Sequence, residues 1–136
     1  MKELTIEAAV ENIEVVTDFV TNELEAANCP IKAQTQISIA IDELFGNIAR
    51  YAYSPDIGKA TVQLEVVNDP LAVIITFIDR GKPFNPLEQA EPDIHMSAKQ
   101  RSIGGLGIFL VKKTMDMLDY KYKDGKNILT IKKKFK

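Results

Sequence analysis

The stretch "KATVQLEVVNDPLAVIITFID", residues 59–79, limits the possible folds of this chain more than any other. Its first half alternates Val62, Leu64 and Val66 with more polar residues, the period-two pattern of a half-buried strand. "NDP" reads as a hairpin turn. The second half, "LAVIITFID", is apolar on both faces at several positions, which marks a central strand. The fold must therefore contain a sheet with a hairpin near its middle.

The flanking sequence supplies what covers that sheet. "KELTIEA" places Leu4, Ile6 and Ala8 on one side of a first strand. Residues 10–28 carry Ile13, Val16, Phe19, Val20, Leu24 and Ala27 at helical spacing, and "NCP" closes that helix. Pro30 suits the start of a second helix, expected over about 31–53. Its apolar stripe is Ile37, Ala40, Ile41, Leu44, Phe45, Ile48 and Ala52, and the turn residues of "SPDIG" end it. A long irregular stretch follows over roughly 80–103; loops of that length in compact domains are usually functional. "GGLGIFLVKKTMDML" predicts a third helix, opened by glycines, with Ile108, Val111, Met115 and Leu118 as its apolar face. "LDYKYKDGKNILTIKKKF" predicts two strands joined at Asp124-Gly125. The order is β-α-α-β-β-loop-α-β-β, without repeats or linkers. Strands that arrive in adjacent pairs favour an α+β, two-layer sandwich: a mostly antiparallel mixed sheet covered by three helices.

At 136 residues the chain is expected to be one domain, 1–136, large enough for a real core. A formal net charge of −2 gives no basic footprint for direct nucleic-acid binding. No apolar run approaches the roughly 18 residues that span a bilayer, and the acids of "MKELTIEAAVENIEVV" interrupt any signal segment. Cys29, a single cysteine, makes no internal disulfide, so a cytoplasmic location without membrane contact is expected.

Three short stretches depart from what packing alone requires. In "IDELFGNIARYAY", residues 41–53, Glu43, Gly46 and Asn47 interrupt a core helix, although glycine costs up to about 1 kcal/mol there. Glu43 and Asn47 are four residues apart and share a face; Arg50 falls within about 20° of Glu43 and Gly46 about 60° away. That polar face, open at Gly46, offers hard oxygen groups suited to Mg²⁺ or a water. It also suits a solvated outer face with a Glu43–Arg50 pair. In "FIDRGKPFNP", residues 77–86, Asp79 ends a buried strand where it can accept a hydrogen bond from an exocyclic amine, and Gly81 lets a flat ring approach. A simple turn that begins with Asp has the same sequence. In "RSIGGLGIFLVKK", Gly104, Gly105 and Gly107 open a helix whose free N–H groups suit phosphate, or form a flexible joint. His95 is the only histidine and cannot alone make a metal site or a triad. The terminal "KKKFK" reads as a solvated edge strand.

Taken in order, "ELFGNIARYAY", "DRGKPFNP" and "GGLGIFL" resemble the N, G1 and G2 boxes of the GHKL superfamily, the Bergerat ATP-binding fold of gyrase, MutL, histidine kinases and small anti-sigma kinases. The resemblance covers nearly the whole chain. It is strongest to the stand-alone RsbW-like anti-sigma factor/serine-protein kinases, whose G1 pattern D-x-G-x-P-F-x-P matches from Asp79 to Pro86. It implies ATP and Mg²⁺ as cofactors, with Asn47 holding Mg²⁺ and Glu43 as the general base toward a serine hydroxyl. It implies that Asp79 binds the adenine amino group, that Gly81 gives the ring room and that Thr130 supports the contact. Gly104, Gly105 and Gly107 would wrap the phosphates, and Arg101 would meet the γ-phosphate. A lid of about 90–103 would close over the nucleotide. The implied partners are a STAS-domain antagonist, which is phosphorylated, a sigma factor or other regulator, and a second copy in a homodimer. The alternative is a non-catalytic, ATP-dependent regulator-binding module. Tyr51 departs from the pattern, since it stands where many members carry His.

Overall fold

A computed structural model of the protein describes residues 1–88 and 105–136. The expected lid, His95, Arg101 and Gly104 lie outside the described residues.

Strand β1 (Lys2–Glu7) leads through a 3-10 turn at Val10–Asn12 into helix α1 (Ile13–Ala26). Helix α1 ends for a local reason. Asn28 takes a left-handed φ of 60°, the Cys29 N–H donates to the Leu24 carbonyl at 2.9 Å and the Asn28 N–H to Glu25 at 3.1 Å. This is a Schellman motif with Asn at its left-handed position, and Cys29 is buried beside it. Pro30 then starts helix α2 (Ile31–Asn47), which continues without a break into a wider π turn at Ile48–Ala52. The expected helix over 31–53 is therefore present, with a changed winding in its last five residues.

The hairpin is β2 (Lys59–Val67) and β3 (Ala72–Asp79). A 3-10 turn at Pro86–Glu88 and helix α3 (Gly105–Thr114) precede the second hairpin, β4 (Met117–Lys123) and β5 (Lys126–Lys134). The sheet order is β1-β2-β3-β5-β4, and all four ladders are antiparallel. Strand β3 is central, as its two apolar faces require.

Two expectations are corrected here. The third helix stops at Thr114 rather than reaching Leu118. The Asp116 N–H already donates to the Lys132 carbonyl at 2.8 Å, so sheet pairing takes over and Leu118 belongs to β4. The Lys133 ammonium, 2.7 Å from the Thr114 carbonyl, places a cation at the helix C-terminus. The lysines of "KKKFK" also do not mark an edge, because β5 lies between β3 and β4.

Helices α1, α2 and α3 cover one face of the sheet. Val16, Val20 and Leu24 of α1, Ile37, Ile41, Leu44 and Phe45 of α2, and Ile108 and Val111 of α3 are buried on Val62, Leu64, Ile75, Phe77 and Ile131. Helix α2 is central, against both α1 and α3. On β3 the helix-facing row runs Val73, Ile75, Phe77, Asp79, so an apolar ladder ends in a buried carboxylate.

Candidate functional site

That row ends at a cavity of about 410 Å³ between the C-terminal half of α2, its π turn, the ends of β3 and β5, Tyr120 of β4 and the segment after β3. Leu44, Phe77 and Leu129 give it an apolar floor. Tyr51 and Phe84, both largely exposed, stand at its sides. Its polar lining includes Asp79, Asn127 and Asn47. A mostly apolar cleft with a few converging polar groups is built for a flat, partly polar ligand.

Asp79 is only 5% exposed. Its Oδ1 accepts the Gly81 N–H at 2.9 Å and the Asn127 amide at 2.9 Å. Neither bond uses Oδ2, and Asp79 lines the cavity. Burial pushes the Asp79 carboxyl above its ordinary value, and the bonds from Asn127 and Gly81 pull it back.

Asn127 is the residue that the sequence reading missed. It is buried and pairs directly with Asp79 across the β3–β5 ladder. Its Nδ2 also donates to the Lys82 carbonyl at 2.9 Å, while Oδ1 accepts the Phe84 N–H at 3.1 Å and the Tyr120 hydroxyl. Thr130, expected near the base, faces the other way. It pairs with Thr76 on the sheet face away from the helices, with the hydroxyl oxygens 3.4 Å apart. Strand alternation decides this: Leu129 and Ile131 point inward, so Asn127 does too and Thr130 cannot. That signal was present in "NILTIK".

Gly81 also makes a close contact within the fold. A Cβ on it would strike the Ala52 carbonyl and Cβ. The Lys82 N–H donates to that same carbonyl at 2.9 Å. The close approach that glycine permits here is to the π turn of α2. Tyr53 ties the same joint: its hydroxyl accepts the Arg80 N–H at 2.7 Å and donates to the Lys59 carbonyl at 2.6 Å.

Glu43 turns toward α3. A Cβ on Gly107 would collide with the Glu43 carboxylate, so the glycine makes the space this acid occupies. Glu43 Oε1 is buried and has no hydrogen-bond partner among the described residues. Burial pushes its carboxyl above the ordinary value; the Asn47 amide and Arg50 lower it, and Asp42 adds a smaller rise. No Glu43–Arg50 ion pair forms among the described residues. The Arg50 guanidinium instead folds over Gly46, where its Nη1 lies 2.6 Å from the site a Cβ would take. Gly46 is buried under Arg50 rather than an open gap, while Arg50 itself stays exposed.

The structure thus brings Asn47, Asp79 and Asn127 to one cavity, with Glu43 one helical turn from Asn47. Gly105 opens α3 as expected. Among the described residues no three His, Cys, Asp or Glu cluster as a metal site. Mg²⁺ does not require one, since it is commonly held by one or two protein oxygens together with phosphates and waters. The Asn47 amide oxygen at the cavity, one helical turn from Glu43, fits that pattern. No helix among the described residues is long and apolar enough to cross a membrane.

Known proteins resemble this chain in sequence and fold. A family model described as a histidine kinase-like ATPase domain matches residues 6–133. The chain is 28% identical over 100 residues to the serine-protein kinase RsbW of Bacillus mycoides, covering 71% of this chain and 61% of that protein. It is 30% identical over 107 residues to RsbW of Listeria monocytogenes, 74% of this chain and 66% of the relative. It is 27% identical over 95 residues to the serine/threonine-protein kinase BtrW of Bordetella bronchiseptica, 70% and 66% of the two chains. The chain therefore spans a little under two thirds of these relatives' lengths. Among solved structures, the RsbU and RsbW domains of Rv1364c from Mycobacterium tuberculosis superpose with a TM-score of 0.66 at 15% identity, over 98% of this chain and 32% of that one. That last likeness speaks to the fold. With the family model matching nearly end to end, the chain belongs to the histidine kinase-like ATPase domain family.

Proposed function

We propose that this protein is an ATP-dependent serine/threonine-protein kinase of a partner-switching system. It holds a sigma factor or another regulator, and it phosphorylates a STAS-type antagonist. The observation that carries the reading is Glu43: a carboxylate with one buried, unpartnered oxygen and a raised pKa, one turn from Asn47 at the cavity. Unpaired buried acids are rare and concentrate where chemistry needs a base. The named relatives, serine-protein kinases, support the same assignment.

The roles follow from position. Leu44, Phe77 and Leu129 would hold the adenine ring, with Asp79 as the acceptor for its amino group. Gly105 and, by resemblance, Gly104 and Arg101 would meet the phosphates. Asn47 would hold Mg²⁺, which supplies charge neutralisation of the phosphates when bound. Glu43 takes the proton from the attacking serine hydroxyl of the antagonist. Its raised pKa brings it nearer the working pH, where a general base is most effective. Gly107 keeps the carboxylate seated. A homodimer in the cytoplasm completes the proposal, and sedimentation of a clean monomer at micromolar concentration would contradict the dimer.

The test is transfer of labelled γ-phosphate from ATP to a cognate antagonist. Wild type should transfer, and Glu43→Ala should bind ATP without transferring. Equal inactivity of the two proteins with ATP still bound would replace the kinase by a non-catalytic ATP-dependent binding module.

A further inference from the structure

We infer that Asn127 and Tyr120 are specificity-determining positioning residues that make the cavity select a base carrying an exocyclic amine. The inference rests on the nucleotide-binding reading above and extends it to residues outside the three motif stretches.

The argument starts from the hydrogen-bonding capacity of one amide. Asn127 has two donors and one acceptor oxygen, and all are engaged. The Phe84 N–H and the Tyr120 hydroxyl both point at Oδ1, so Oδ1 cannot be exchanged with Nδ2. The Nδ2 group must then face Asp79 Oδ1 and the Lys82 carbonyl, each at 2.9 Å. Burial also raises the Tyr120 pKa, so its hydroxyl keeps its proton and stays a donor.

This chain of bonds fixes what Asp79 presents. With Oδ1 filled by the Gly81 N–H and the Asn127 amide, Oδ2 is the oxygen that meets a ligand. The two donors work against burial, the larger influence, which raises this carboxyl. As a carboxylate oxygen, Oδ2 accepts and never donates. It bonds the amine of adenine and repels the carbonyl oxygen that hypoxanthine or guanine carries at the same ring position. Without Asn127 the carboxyl loses a donor, can hold a proton and can turn, so it tolerates either base. A site that bonds a substrate N–H discriminates strongly against an analogue lacking it.

The experiment is calorimetric titration of the full chain with ATP and with inosine triphosphate. It compares wild type, Tyr120→Phe and Asn127→Asp, with a melting curve for each. Asn127→Asp keeps an acceptor for Phe84 and Tyr120 but sets a second carboxylate against Asp79. Tyr120→Phe removes one hydroxyl and leaves the ring, so it stays interpretable if Asn127→Asp fails to fold. The expected result is a ratio of ATP to inosine triphosphate affinity that falls about fivefold in Tyr120→Phe, the size of one ordinary hydrogen bond, and further in Asn127→Asp. Equal weakening of both nucleotides in the variants, with an unchanged ratio, would show a purely structural role and overturn the inference alone. Failure of wild type to bind either nucleotide would remove the nucleotide reading and the inference with it.

Discussion

Glu43 and Asp79 are both carboxylates raised by burial, and their neighbours divide the work between them. Asp79 is held by two donors on one oxygen, which suits a fixed acceptor. Glu43 has an orphaned oxygen, which suits a group that takes a proton. General bases typically contribute about 10²–10⁴-fold, so Glu43→Gln should lower phosphate transfer by that order and leave the ATP dissociation constant within a few-fold. The same substitution removes a buried charge. Apo Glu43→Gln should therefore melt a few degrees above wild type at neutral pH, measured by calorimetry. The glycines separate in the same way. Gly107→Ala should cost most of the transfer rate, because the added methyl displaces the Glu43 carboxylate. Gly46→Ala meets only the mobile end of Arg50, and it should stabilise the helix by about 0.5–1 kcal/mol in denaturant titrations with transfer nearly intact.

At the scale of elements, the joint between the π turn of α2 and the end of β3 organises the cavity. Ala52 meets Gly81 and Lys82, while Tyr53 bridges Arg80 and Lys59. Gly81→Ala would push its methyl against the Ala52 backbone, which has no flexible end to give way. A loss of about 1–3 kcal/mol in urea titrations is expected, together with weaker nucleotide binding, because Asp79 Oδ1 loses the Gly81 N–H. Periodicity revealed the helices and strands, since one-sided burial writes itself into the sequence at period 3.6 or 2. The winding change at Ile48–Ala52 left no such mark, because π and α turns use the same residue types. The end of α3 was misread for a related reason. "KKTMDML" continues a helical pattern, and only pairing with Lys132 and Lys134, remote in sequence, turns it into a strand. The roles of Gly81 and Gly107 were equally hidden. Both glycines were visible, yet what fills the space beside each, Ala52 or Glu43, depends on the docking of distant elements.

For the whole molecule, the site is set between the helix layer and the sheet, at the end of the apolar row on β3. Raised carboxyls set a pH dependence with a definite sign. Both Asp79 and Glu43 have folded pKa values above their ordinary 3.8 and 4.5. The stability they contribute is full below those ordinary values and is lost as pH rises through the raised folded ones. Their part of the apo stability should thus decline with rising pH through that window, and the Asp79→Asn, Glu43→Gln double variant should flatten the profile in calorimetric melts. The element order, the central strand, and Glu43, Asn47 and Asp79 were legible from motif and period. Asn127 lies outside the three motif stretches, and its place is marked only by the strand alternation that turns Thr130 away and by its pairing with Asp79, remote in sequence.

The central claim, that this cavity is a nucleotide site with Asp79 as its base acceptor, is tested most directly by titrating ATP into wild type and Asp79→Asn. An asparagine keeps an acceptor for Gly81 and Asn127, so the fold survives while the charge at the cavity is lost. Saturable one-to-one binding by wild type, weakened at least about tenfold in a fully folded Asp79→Asn, is the predicted result. Undiminished ATP binding by Asp79→Asn, or none by wild type, would contradict the account.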